Sequence, residues 1–205
     1  MPAVANNLTC DKQIRAALIS ELIKQNESKE HTKVIPELTL PNESVRVDVA
    51  VINGIMHGYE LKSDVDTLHR LSNQVIAYNL VFDRVTLVVG RTLAASAIDI
   101  IPNWWGVTVA KTIPEQEELL LIPIRDAGYN LNQDLVTIAN LLWKSEAIDC
   151  LTVIGKEAGY ISKPKNVVCK RLIECTDAQQ LKALVRDKLI NRNFDQRKQA
   201  VLSLS

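Results

Sequence analysis

The sequence predicts an α/β fold: a mixed central sheet with helices on both sides, followed by a helical C-terminal subdomain. Three observations predict it. Short β-type runs at 34–40, 45–52 and 56–62 are separated by the turn signals Pro41-Asn42-Glu43-Ser44 and Asn53-Gly54, the pattern of an antiparallel meander. A helical stretch then leads into the β-branched run at 84–89 (RVTLVV), so that strand, helix and buried strand make a crossover unit with a parallel pair. From Leu131 onward the periodicity is helical.

The elements follow in order. At 11–25, Ile14, Leu18 and Leu22 recur at helical spacing behind Asp11, which reads as the N-cap. After the meander, Ser63, Asp64, Asp66 and Thr67 supply capping groups for a helix running to about Leu80, with Leu68, Leu71, Val75 and Ile76 on one side. A short helix is expected at 94–100, a fifth strand at 106–110 and an edge strand at 119–124. Helical patterns follow around Leu135–Leu142 and at 178–190, with Lys163-Pro164-Lys165 between them. This divides the chain into an α/β domain at 1–130 and a helical subdomain at 131–205 packed on it.

With 47% hydrophobic and 23% charged residues, the 205-residue chain can bury a full core. Its formal charge is zero, which does not suit a protein that coats nucleic acid by bulk electrostatics. The charge is unevenly spread. Residues 155–205 carry eleven Lys/Arg against five Asp/Glu, and residues 1–154 carry thirteen against nineteen. A carboxylate-rich body beside a basic tail suits a site for a divalent metal and a polyanion. Cys10, Cys150, Cys169 and Cys175 form no CxxC pair, and His31, His57 and His69 have no zinc spacing with them, so the thiols read as reduced and structural. No basic-then-apolar leader opens the sequence, and no apolar stretch reaches the ~18 residues that span a bilayer. The expectation is a soluble, cytoplasmic protein with no membrane partner. Nucleophile systems of the Ser/His/Asp or Cys/His kind and glycine-rich phosphate loops have no local signature.

The block at 46–62, RVDVAVINGIMHGYELK, carries the chemistry. Glu60 and Lys62 share a strand face because side chains alternate. A two-residue loop at Asn53-Gly54 would place Asp48 opposite Tyr59, whereas a three-residue loop, Asn53-Gly54-Ile55, pairs Asp48 with Glu60. An odd loop with Gly54 in the left-handed conformation is the expectation. If 41–44 forms a four-residue loop, Glu37 also lies across from Asp48. Neighbouring carboxylates resist ionising together unless a cation binds between them, and Mg²⁺ prefers such hard oxygen ligands. An ammonium group beside them would stabilise charge developing on phosphorus. Asp48, Glu60 and Lys62 could equally be a solvated strand face with a cross-strand ion pair, the reading that periodicity alone favours.

Asp48, followed after a turn by Glu60-Leu61-Lys62, resembles the PD-(D/E)XK nuclease motif, and the order helix, meander, helix, strand resembles that superfamily's restriction-endonuclease-like fold. Gln74 and Tyr78 resemble the Gln-x-x-x-Tyr pair of its exonuclease-like branches. From Asp11 to about Arg192 the chain is similar to small bacterial and phage members. Val47 stands where the motif usually has proline, which many members lack. The resemblance implies a metal-dependent phosphodiesterase acting on DNA, with RNA as second choice. Asp48, Glu60 and the Leu61 carbonyl would ligate Mg²⁺ or Mn²⁺. Lys62 would be the catalytic ammonium, Glu37 or Glu21 the additional acid, and Gln74 with Tyr78 would position substrate or Lys62. A homodimer is compatible with cutting two strands. The rival is a catalytically silent nuclease fold that binds nucleic acid or protein. His57 and His69 read as structural, Trp104 and Trp105 as packing or interface, and Lys163, Lys165, Lys170 and Arg171 as a solvated face or phosphate contacts.

Overall fold

The computed structural model describes residues 8–41, 45–113 and 118–194. Its elements are α1 (Asp11–Asn26), β1 (Lys33–Thr39), β2 (Arg46–Ile52), β3 (Met56–Lys62), α2 (Leu71–Asn79), β4 (Arg84–Gly90), α3 (Ala94–Ile98), β5 (Gly106–Ile113), β6 (Glu118–Arg125), α4 (Leu135–Ala139), α5 (Lys144–Val153), α6 (Lys165–Glu174) and α7 (Ala178–Asn191). The six strands form one sheet in chain order. β1, β2 and β3 are the expected antiparallel meander, β3–β4 and β4–β5 are parallel, and β6 returns antiparallel to β5. The fold is therefore α/β, with a mixed sheet flanked by helices.

Two hydrophobic layers sandwich the sheet. On one face, Ile14, Leu18 and Leu22 of α1 pack against Val49, Val51, Leu61 and Val88. On the other, Ala50, Ile52, Met56, Leu87 and Val89 meet Leu71 and Tyr78 of α2. Ile138, Leu151, Val168 and Val185 of α4–α7 join that same cluster, so the C-terminal helices bury their apolar stripes on the sheet's own core. The alternating strand pattern thus serves two buried faces, and β4 is apolar almost throughout because both of its faces are covered.

The loop between β2 and β3 has the expected three residues. Ile52 pairs with Met56, and Gly54 adopts φ +92°. That left-handed turn costs glycine little, which is how the chain reverses here.

Several boundaries differ from the sequence reading: β5 runs on to Ile113, and α6 starts at Lys165, inside the expected linker. Cys10, not Asp11, is the N-cap of α1, and the Gln13 side chain accepts its N–H at 3.2 Å. The helix after β3 starts at Leu71 rather than beside 63–67, because the carboxylates there are engaged elsewhere. Asp66 accepts the Ser63 N–H (2.7 Å) and hydroxyl (2.6 Å). Asp64 accepts Thr9 N–H (2.9 Å) and Thr92 N–H (2.8 Å), tying the entrance to α1 and the segment after β4 to the end of β3. α3 is also shorter than expected, ending at Ile98.

Candidate functional site

The regular β2–β3 ladder runs from Ile52↔Met56 to Val49↔Tyr59. Continued by one residue, that register sets Asp48 opposite Glu60. There Asp48 brings its side chain into the gap between the strands and accepts the Leu61 N–H at Oδ2 (2.9 Å). On the other side of β2, Pro36↔Val49 and Leu38↔Val47 place Glu37 level with Asp48. Glu37 adopts φ +58°, uncommon outside glycine, and this breaks the alternation of β1, since Ile35 and Leu38 enter the same core cluster. Its carboxylate turns outward to Arg46, 3.4 Å away, with both side chains exposed.

Glu60 is fully buried and Lys62 is 5% exposed. The Lys62 ammonium donates to Glu60 Oε1 and to Gln74 Oε1 (3.1 Å), while the Tyr78 hydroxyl donates to Glu60 Oε2. Gln74 and Tyr78, one helical turn apart on α2, therefore hold the Lys62–Glu60 pair from above. Burial pushes the Glu60 carboxyl up to about 7; the charge of Asp48 adds to the rise and Lys62 opposes it. Tyr78, buried beside Glu60, is raised well above the usual phenol range.

From α1, Arg15 reaches across to β2. Its Nη1 donates to the Asp48 carbonyl (2.9 Å) and its Nη2 to Asp48 Oδ1 (2.8 Å), while Nε and Nη2 bond Asp11 at 3.2 and 3.1 Å. Between α1 and the start of α2 the surface opens into a cleft of about 730 Å³, lined by Asp11, Arg15, Arg46, Asp48, Glu60, Leu61, Lys62, Asp66, Arg70, Asn73 and Gln74 among others. Four acidic and four basic side chains thus share one polar recess.

The structure brings Asp48, Glu60, Leu61, Lys62 and Gln74 to one cleft, with Asp48 level with Glu60 as the three-residue loop predicts. Three expected residues lie elsewhere. Tyr78 is fully buried, so it supports Glu60 from the core side and does not line the cleft. Glu37 is outside the cleft for the backbone reason given above. Glu21 lies on the exposed side of α1, bonded by Gln25 at 2.8 Å. Asp11, Arg15, Arg46, Arg70 and Asn73 were not anticipated. The i,i+4 spacing of Asp11 with Arg15, and the three- and four-residue spacings of Arg70, Asn73 and Gln74, are the signals that could have found the helical ones.

Among the remaining candidates, His57 stacks on Tyr59 (4.3 Å between centroids) and contacts Thr86 Oγ1 at 2.9 Å, away from the cleft. Trp105 is fully buried and donates to Asn79 (2.9 Å), a packing role. The described cysteines are all free thiols. No helix among the described residues is long and apolar enough to cross a membrane.

Among the described residues, no group of three or more His, Cys, Asp and Glu side chains is placed to hold a metal ion. The available donor set is two carboxylates, Asp48 and Glu60, with the Leu61 carbonyl next to Glu60 in sequence.

Comparison with known proteins gives one family. Protein cII of Enterobacteria phage P4 is 36% identical over 78 residues, which is 38% of this chain and 29% of that relative's length. No solved structure matches the chain. The profile of the family described as bacteriophage P4 protein cII matches residues 4–204, and the chain belongs to that family.

Proposed function

We propose that the chain is a metal-dependent nuclease that hydrolyses phosphodiester bonds in DNA, with RNA as second choice, on a restriction-endonuclease-like sheet. One observation carries the reading. Asp48, Glu60 and Lys62, drawn from two strands, line a single cleft, and two of them are buried at its floor. Stability alone does not call for a buried ion pair, because apolar residues of similar volume usually serve a core as well or better. Charges kept buried beside an open recess suit chemistry.

The donor set fits a hard divalent cation in kind: carboxylate oxygens from Asp48 and Glu60, and the Leu61 carbonyl. It fits with one condition, that the bonds now made by Arg15 and Lys62 to those carboxylates give way. Bound there, Mg²⁺ or Mn²⁺ would polarise the phosphate and lower the pKa of a coordinated water. The chain's own groups do the rest. Gln74 orients the Lys62 ammonium toward the recess, where it offsets negative charge developing on phosphorus. Tyr78 fixes the Glu60 carboxylate from the core side. Arg46 and Arg70 on the cleft walls would hold flanking phosphates.

The test is incubation of the purified chain with linear, nicked and branched DNA, with and without Mn²⁺. Wild type cuts at least one substrate only with metal, and Lys62→Ala lowers the rate by a factor on the order of 10² or more. Intact DNA in every lane removes the enzymatic reading.

A second reading has its own observation. Both oxygens of Asp48 and both of Glu60 already accept hydrogen bonds within the chain. That would suit a catalytically silent nuclease fold that binds nucleic acid or protein. DNA binding that survives EDTA and Asp48→Asn, without cleavage, selects it.

A further inference from the structure

We propose that Arg15 is the built-in occupant of the cation position at Asp48, and that a divalent ion enters the cleft by exchanging with its guanidinium. The identity of the ion rests on the nuclease reading; the exchange rests on geometry. Arg15 engages Asp48 twice, through the carbonyl oxygen (2.9 Å) and Oδ1 (2.8 Å). Leu61 N–H holds Oδ2, so Asp48 keeps a fixed orientation whichever cation sits at Oδ1. A guanidinium and a divalent ion repel each other too strongly to share that oxygen.

Three features make exchange practicable here. The Arg15 and Asp48 side chains are 23% and 22% exposed and both line the cleft, so a hydrated ion can reach them. The Lys62–Glu60 pair lines the same cleft but is buried, so an incoming ion meets Asp48 first. Asp11, one turn back on α1, already bonds Arg15 through Nε and Nη2, so the guanidinium leaving Asp48 keeps an anionic partner. At Asp48 the exchange therefore breaks only the Asp48 half of Arg15's contacts, and the firmer Arg15 holds that half, the weaker the cleft's affinity for metal.

The experiment measures Mn²⁺ binding to the full chain by electron paramagnetic resonance of free Mn²⁺, with no DNA present. Arg15→Ala and the longer Arg15→Gln, each checked for cooperative thermal unfolding, bind Mn²⁺ roughly tenfold tighter than wild type, the order expected when a partly exposed charged competitor for Asp48 is removed. Adding Asp48→Asn to either variant abolishes the gain. Equal or weaker binding by both Arg15 variants, a gain that survives Asp48→Asn, or no Mn²⁺ binding by any form overturns the proposal. The two readings separate cleanly. Wild type that cuts DNA while Arg15 variants gain no affinity removes the exchange and leaves the nuclease; tighter Mn²⁺ binding without cleavage does the reverse.

Discussion

Lys62 and Glu60 stand on the same face of β3 and share an ion pair whose side chains are 7% and 0% exposed. Two charges out of water hold only while they hold each other, and the remaining contacts to Gln74 and Tyr78 complete the set. Removing one member leaves the other uncompensated. Lys62→Met is expected to cost about 3–5 kcal/mol in urea unfolding at pH 8, where Glu60 must either stay buried as an uncompensated charge or take up a proton against the pH. The double variant Lys62→Met, Glu60→Gln costs less than the single one. Additive losses would show that the pair is not coupled.

Tyr78→Phe isolates the other half of the network. The ring is fully buried, stacked 5.8 Å from Trp105 and edge-on to Phe82 at 5.6 Å, and phenylalanine preserves that packing. Glu60 Oε2 loses its donor. The expected loss is about 1–3 kcal/mol by chemical denaturation, smaller at pH 5, where Glu60 is protonated. An unchanged midpoint at both pH values would mean that the hydroxyl does not support the carboxylate.

The sheet and the positions of the motif could be read from the sequence because two strand periods and one loop length fix them. Once the loop at Gly54 has three residues, Asp48 and Glu60 fall opposite each other by arithmetic. What could not be read depends on contacts between distant segments. Asp64 looks like a helix cap from its neighbours alone, yet its partners Thr9 and Thr92 are supplied by other elements. Arg15 was hidden because α1 was recognised by its apolar stripe, and the polar side of a helix says nothing about what it will meet. Gln74 and Tyr78 share one helix face, yet Gln74 lines the cleft and Tyr78, one turn further along α2, lies wholly inside. Glu37 lies across from Asp48 as the register predicts, but a positive φ, a backbone choice with no residue signature here, turns its carboxylate out to Arg46.

Glu60 and His57 impose opposite pH slopes on stability. The Glu60 carboxyl is pushed up to about 7 in the folded chain from its ordinary 4.5, so between those values the folded state binds more protons than the unfolded one. Stability from this group is present below about 4.5 and is lost as pH rises through 7, a swing on the order of 3 kcal/mol. His57 is lowered from 6.5 to about 4 by burial and by Arg84, so its contribution is present above 6.5 and is lost as pH falls toward 4. In metal-free protein, Glu60→Gln should make stability rise more steeply between pH 4.5 and 7 than wild type does. His57→Gln should flatten it. Parallel profiles for wild type and Glu60→Gln would show that Glu60 does not titrate in that window.

Gly90 ends β4 where the chain passes closest to Asp64. A Cβ at Gly90 would lie 2.6 Å from both the Asp64 backbone nitrogen and Oδ1, inside any tolerable contact. Asp64 cannot simply swing away, because its carboxylate holds Thr9 and Thr92, so the backbone after Lys62 has to move. Gly90→Ala is expected to cost about 1–3 kcal/mol of stability, the usual price of overpacking, and to weaken Mn²⁺ binding by displacing β3 from Asp48. Gly54→Ala supplies the contrast: no atom lies within 4 Å of its Cβ position, and only the left-handed backbone at φ +92° resists substitution. That variant should lose about 1–2 kcal/mol with its metal affinity unchanged. A Gly90→Ala protein as stable as wild type would mean that the strand end and the Asp64 turn are not packed as closely as this geometry requires.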